Sequence, residues 1–266
     1  MPPRTAGIFV SHGAPTLPLE GLPAREFLRE LGRQLPRPRA IVVVSPHWLT
    51  RGLFLKAPSQ FDTWHDFQGF PEELYRVQYR PRGDAALCDR VALLLKQAGI
   101  DVDIAATDRR LDHGVWVPLM LMYPQADVPL VQLSLTWSTP QRCREIGRAL
   151  RSLADDGVLL MGSGGAVHNL HEVAFGEVGA PPDWAREFDD WTRQRLAAGD
   201  WEALDDYRRQ APRAERAHPT EDHFLPLFFA GGAGDRAESL HRSFSHGSLG
   251  MAAYAFSVLR GRTQLT

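Results

Sequence analysis

The chain has 266 residues, 44% of them hydrophobic and 23% charged, and a formal net charge of -2. That length fits one large α/β domain or two small ones, and it can bury a sizeable core. The near-neutral balance, with scattered arginines and few aromatics among them, gives no electrostatic case for nucleic acid or an acidic membrane surface. No stretch approaches the roughly 20 apolar residues of a membrane span.

Residues 7–10 read as a short buried strand, and 20–35 carry apolar residues at helical spacing, stopped by Pro36 and Pro38. Residues 40–45 (AIVVVS) are a continuous β-branched run, as expected of a strand covered on both faces. Strand, helix and second buried strand make a βαβ unit. Residues 53–56 read as another strand, and 59–71 as a long aromatic and polar loop of the kind often used for function. A helix over 83–98 leads to a strand at 102–105. A further helix begins at 114, with Pro118 placed in its first turn. Then come a strand at 128–135, a helix at 140–154, a strand at 158–162, helices at 184–198 and 201–209, a short helix from 223 to 229 and a final strand at 249–258.

No repeat, low-complexity segment or linker interrupts this series. The expectation is a single α/β domain over 1–266, with a mostly parallel or mixed central sheet and helices on both faces. The two cysteines, Cys88 and Cys143, fall on amphipathic helices and read as buried structural thiols. No CxxC pattern is present, which excludes a thiolate zinc site, and a reducing compartment fits best. The N-terminal residues show no charged segment followed by a long apolar one, so a soluble, cytoplasmic protein is expected.

Four segments place a histidine just past an apolar run or at a helix start: Ser11-His12-Gly13, Ser45-Pro46-His47-Trp48, Ala166-Val167-His168-Asn169 and Glu221-Asp222-His223-Phe224. The first three follow strands, and strand ends of an α/β sheet converge on the edge where ligands bind. Histidine suits zinc, iron, copper and nickel, and a catalytic site takes about three protein ligands and leaves positions open. His12, His47 and His223 could form such a set. His168 could be a fourth ligand or a proton-transfer group. Each alone also reads as a hydrogen-bonded structural residue. His65 and His171 read as loop or surface residues, and His218, His241 and His246 belong to no motif. Asp112 reads as a cap of the following helix that could also orient His113. The glycines of Ser163-Gly164-Gly165 permit either a close backbone approach to a pocket or an ordinary tight turn.

Six segments in one order extend this pattern: 9–15 (FVSHGAP), 41–48 (IVVVSPHW), 66–71 (DFQGFP), 111–116 (LDHGVW), 162–170 (GSGGAVHNL) and 218–227 (HPTEDHFLPL). Together they resemble the class III extradiol ring-cleaving dioxygenases, the LigB-like superfamily, in its 4,5-DOPA extradiol dioxygenase branch. The resemblance implies an oxidoreductase that opens a catechol-type ring with O2. It implies metal ligation by His12, His47 and His223, an acid/base role for His168 that some members replace by ligation, and a substrate-side role for His113. It also places 66–71 near the substrate pocket. No organic cofactor is implied. Fe(II) is expected for activity, although three histidines also suit Zn(II) in purified protein. The partners implied are a small aromatic substrate and O2. Trp48, Trp64, Phe67, Phe70 and Trp116 are candidates for lining the pocket. A zinc hydrolase on the same scaffold and a non-catalytic metal-binding relative are the alternatives.

Overall fold

The computed structural model describes residues 4–106, 109–176 and 179–259. Its strands are β1 (Arg4–Ser11), β2 (Ala40–Val44), β3 (Leu49–Thr50), β4 (Phe54–Lys56), β5 (Asp103–Ile104), β6 (Leu130–Leu133), β7 (Leu135–Thr136), β8 (Val158–Gly164), β9 (Arg236–His241), β10 (Phe244–Ser245), β11 (Leu249–Gly250) and β12 (Ala253–Val258). Eight of these form one sheet in the order β5-β4-β6-β2-β8-β1-β12-β9. The middle strands β6, β2, β8 and β1 run parallel, so their C-terminal ends share one edge. Strand β12 lies antiparallel to β1, and β9 to β12, so the start of β12 reaches that same edge.

The helices are α1 (Pro23–Gln34), α2 (Ala85–Gln97), α3 (His113–Met122), α4 (Pro140–Ala149), α5 (Asp183–Ala198), the short α6 (Trp201–Asp205), α7 (Tyr207–Gln210) and α8 (Ala214–Ala217), and α9 (Leu225–Gly232). All five residues of β2 are buried because both sheet faces are covered. Ile41 and Val43 pack with Leu28 and Leu31 of α1 and Val115 and Leu119 of α3. Val42 and Val44 point the other way, into a core with Val91 of α2, Ile146 of α4 and Phe228 of α9. Each such side chain contributes roughly 1.5–3 kcal/mol on burial. Helix α9 lies directly on β8, where glycine lets the backbones touch: a Cβ at Gly162 would overlap the carbonyl oxygen of Pro226.

The expected single α/β domain with a mixed, two-faced sheet is what forms. Element boundaries differ in physically readable ways. Helix α1 starts at Pro23 rather than residue 20, because Leu17–Leu19 form their own 3-10 turn. The helix expected through 154 ends at Ala149 and passes into a 3-10 turn that stops at Gly157, whose φ is 77°. The expected strand at 249–258 is broken, because β11 pairs with β10 while β12 joins the main sheet. The expected helix 201–209 is two pieces, α6 and α7. The strand at 102–105 shrinks to the exposed edge pair of β5. Cys88 and Cys143 are free and buried, and burial raises both thiols to about 11. No helix among the described residues is long and apolar enough to cross a membrane.

Candidate metal centre

The parallel strands deliver the histidines to one edge. His12 directly follows β1, and its amide donates to the Gly164 carbonyl at the end of β8 (3.0 Å). Ser11 ties neighbouring segments together: its Oγ donates to the Ala252 carbonyl (2.8 Å) and accepts from the Ala166 amide (3.0 Å). His47 sits three residues past β2, His168 four past β8, and His113 opens α3. His223 precedes α9, and its carbonyl accepts from the Gly165 amide (2.9 Å). A Cβ at Gly164 would overlap that same carbonyl, so the glycine permits the close approach of β8 to His223.

All five histidines singled out from the sequence meet. The His12 ring centroid lies 5.2 Å from His47, 5.4 Å from His113 and 5.5 Å from His223. His47 lies 4.1 Å from His113 and 5.1 Å from His223. His168 stacks face to face on His223, with centroids 3.5 Å apart and planes 5° from parallel. The tightest group is His12, His47 and His113, whose ring nitrogens nearest one another all fall within 4.8 Å.

The hydrogen bonds assign the proton on two of these rings. Pro118 lies in the second turn of α3, not the first, since the helix begins at His113. Lacking an N–H, it leaves the Gly114 carbonyl without its helical donor. Ser163 Oγ donates to that carbonyl, and so it accepts from His12 Nδ1 (3.1 Å). His223 Nδ1 donates to Asp222 Oδ2 (2.6 Å). Both rings therefore leave Nε2 unprotonated, and that of His12 lies against His47. Asp66 Oδ1 accepts from the backbone amide and from Nδ1 of His113, each at 3.0 Å.

These residues fit a bound cation. His223 Nε2 is buried without a hydrogen-bond partner among the described residues. His12 Nε2 and His47 Nε2 are 3.3 Å apart. Two nitrogens each about 2.1 Å from one ion stand about 3.0 Å apart at a right angle and about 3.4 Å at the tetrahedral angle. Burial, reinforced by the neighbouring histidines, holds His12 and His223 well below the usual histidine range. Burial and His113 lower His47 to about 4, against the opposing pull of Asp112, Asp66 and Asp222. Neutral rings need lose no proton to bind metal. Burial also lowers His168 to about 4, against the opposing pull of Asp222. Burial alone would raise Asp66, but its bonds to His113 bring it below the ordinary carboxylate value.

Asp112 does not do what its position before a helix implies. Its side chain makes no capping hydrogen bond to α3. It is fully buried and accepts from Ser45 Oγ (2.6 Å), Arg109 Nη2 (2.7 Å) and Gln132 Nε2 (3.0 Å). Asp66, from the 59–71 loop, holds both the first amide of α3 and the His113 ring. Arg109 also donates to the His47 carbonyl (3.0 Å), and its guanidinium lies 5.3 Å from the Trp48 ring and 4.9 Å from the Trp64 ring. Trp48 and Trp64 thus flank an arginine. Trp116 is core, with its indole N–H on the Trp64 carbonyl (3.0 Å). Phe67 meets the His113 ring edge-on at 5.9 Å and leads to Phe70 at 5.3 Å. His65 is half-buried and bonded to the Val77 carbonyl (3.1 Å), and His171 is exposed. His218 is buried against the Ala166 carbonyl (3.0 Å) and His241 stacks on Phe27 at 4.5 Å, both outside the cluster. Ser163, Asp66 and Arg109 were not identified as orienting residues from sequence because each acts on a histidine distant in sequence, and Asp222 was not because adjacent residues do not ordinarily face one way, whereas here its carboxylate folds back onto the His223 ring.

Comparison with known proteins settles the family. The family described as catalytic LigB subunit of aromatic ring-opening dioxygenase matches residues 7–257. The chain belongs to this family. It is accordingly an enzyme, an aromatic ring-opening dioxygenase, and the hydrolase and non-catalytic alternatives are not favoured. A protein of Beta vulgaris named 4,5-DOPA dioxygenase extradiol is 38% identical over 256 residues, covering 94% of this chain and 95% of the relative. One of the same name from Escherichia coli strain K12 is 37% identical, covering 89% and 88%. The crystal structure of an uncharacterized protein, JW3007, from Escherichia coli K12 superposes with a TM-score of 0.78 at 33% identity, covering 95% of this chain and all of that one.

Proposed function

We propose that the enzyme opens the ring of a DOPA-like catechol in the extradiol manner, using a ferrous ion held by Nε2 of His12, His47 and His223. The observation that carries the ligand set is the proton assignment: Ser163 and Asp222 take the Nδ1 protons of His12 and His223 and leave both Nε2 atoms unprotonated, that of His223 buried without a partner among the described residues. Partners of this kind, which fix the tautomer of a ligating histidine, are what a metal centre requires. His113 is the nearest competitor for the third position. Its Nδ1 bond to Asp66 and its edge contact with Phe67 favour the substrate side instead.

A ferrous ion in this place would supply the one-electron chemistry that lets O2 react with an aromatic ring. The protein's own work is binding and proton transfer. A catechol loses protons on binding as a chelate, so a neutral base must stand within reach of its hydroxyls. His168 is that base: burial keeps it neutral at pH 7, and stacking on His223 fixes its ring. An anionic substrate oxygen beside it raises its proton affinity from about 4 toward neutrality. His113 takes or returns the second proton at Nε2 while Asp66 stabilises the charged ring through Nδ1.

The test is to load the protein with Fe(II) anaerobically, add a panel of catechols including DOPA, and admit O2. Oxygen uptake with formation of yellow ring-opened semialdehydes is expected, and Zn(II)-loaded protein should give none. Bound iron with no turnover across the panel would refute the proposal.

A further inference from the structure

We propose that His218 is a positioning residue for the reaction: its ring, bonded to the Ala166 carbonyl and packed on Phe224, holds His168 in register on His223. This rests on the reading of His168 as the base and names the residue that sets where that base stands.

His168 and His223 come from segments far apart in sequence, yet their rings stack 3.5 Å apart and within 5° of parallel. That register depends on how the main chain of 165–168 is tied to 217–223. Three hydrogen bonds make the tie. The Gly165 amide donates to the His223 carbonyl (2.9 Å), and the His168 amide donates to the Ala217 carbonyl (2.9 Å). Between them, His218 Nε2 donates to the Ala166 carbonyl (3.0 Å). The outer two bonds run backbone to backbone, whereas the middle one depends on a side chain. The Ala166 amide is itself held by Ser11 Oγ (3.0 Å), from the residue before His12. Ala166 is thus fixed at both its amide and its carbonyl, two residues before the base.

The His218 ring is fully buried, with the Phe224 ring 4.7 Å away at 35° and the Phe188 ring at 5.2 Å. Phe224 directly follows His223, so the one ring touches the segment of each stacked histidine. A carbonyl only accepts, so the His218 proton sits on Nε2. Burial keeps the ring neutral, which leaves Nδ1 a bare acceptor, buried without a partner among the described residues. That unpaired nitrogen offsets the stability supplied at Nε2. A leucine would fill the same aromatic cage without an unpaired nitrogen. What histidine adds is one directed bond to Ala166. Without it the Ala166–Val167 peptide loses the anchor of its carbonyl, and His168 shifts across the face of His223. A reacting group displaced by about 1 Å can lose about 10²-fold in rate.

The test pairs His218→Leu, which fills the cage without a donor, with His218→Gln, whose amide nitrogen can reach the Ala166 carbonyl. His218→Met replaces the leucine variant if that one does not fold. Each Fe(II)-loaded variant is crystallised under argon and assayed with DOPA and O2. In the leucine variant the His168 ring should move across His223 by about 1 Å, and kcat should fall about 10–100-fold. KM for DOPA and metal content should stay within about threefold of the parent, a split that general loosening of the fold would not give. Glutamine should restore the stack and keep kcat within about threefold of the parent. An unmoved His168 ring in the apolar variant, an equal loss in the glutamine variant, or a kcat loss that tracks lost metal would overturn the inference. A ring displaced by leucine and restored by glutamine, with kcat unchanged in both, would support the hold of His218 on His168 while refuting His168 as the base.

Discussion

Asp112→Asn tests how the fold holds His47 in place. The carboxylate is fully buried and accepts three bonds, from Ser45, Arg109 and Gln132. Removing one partner of a buried ion pair costs about 3–5 kcal/mol, because the other charge stays buried and unpaired. Asparagine keeps one oxygen facing Arg109 and Gln132 and turns an amide toward Ser45, whose hydroxyl can accept. It loses the charge, so about 2–3 kcal/mol of destabilisation is expected. At a urea dependence of about 3 kcal/mol/M, the unfolding midpoint should fall by about 0.7–1 M. The function of the network is local as well. Arg109 bonds the His47 carbonyl, so a loosened Arg109 frees the loop that carries that ligand. Metal affinity should drop by about 10–100-fold, the range for lost partners of a metal site. Urea unfolding of the metal-free protein and calorimetric metal titration read the two effects separately. A midpoint within 0.2 M of the parent, roughly 0.6 kcal/mol on the same scale, with unchanged metal affinity would refute the reasoning.

Other consequences follow from the same geometry. His168→Ala should lower turnover by about 10²–10⁴-fold while metal content by elemental analysis stays at the parent level. Asp66→Asn keeps one acceptor oxygen but removes the negative charge beside His113 Nδ1, and kcat should fall by about 10–100-fold with the substrate KM changing less. Gly164→Ala forces a methyl group against the His223 carbonyl and should destabilise by about 1–3 kcal/mol in thermal or urea unfolding, with weaker metal binding. His218, fully buried outside the cluster, is lowered by burial to about 3 against an unfolded value near 6.5. The unfolded chain binds a proton there that the folded one does not. Its contribution is therefore complete above pH 6.5 and is lost as pH falls toward 3, at about 1.4 kcal/mol per pH unit. Urea midpoints between pH 7 and 5 should show a shallower acid slope in His218→Gln than in the parent.

Much of the fold was legible because it rests on short-range patterns. The AIVVV run of β2 announces a strand buried on both faces, and its odd and even residues do divide between two cores. His113 entered only through the family resemblance. The other four clustered histidines, His12, His47, His168 and His223, were legible because they follow strands or stand at a helix start, positions that a parallel sheet gathers on one edge. The supporting contacts were not. Ser163 reaches Gly114 only because Pro118 cannot donate, and neither is near the other in sequence. Asp112 sits where a helix cap belongs, yet Arg109 and Gln132 draw its carboxylate away from α3. Asp66 does the capping from a loop without periodicity. The break between β11 and β12 was hidden because both pieces are apolar, and only pairing with different partners separates them.

The most direct measurement is a crystal structure of the anaerobic, Fe(II)-loaded enzyme with anomalous data collected on either side of the iron edge. The expected result is one iron peak about 2.1 Å from Nε2 of His12, His47 and His223, with His113 and His168 beside it and unligated. A peak ligated by His113 in place of His223, or iron bound elsewhere, would contradict the proposed centre.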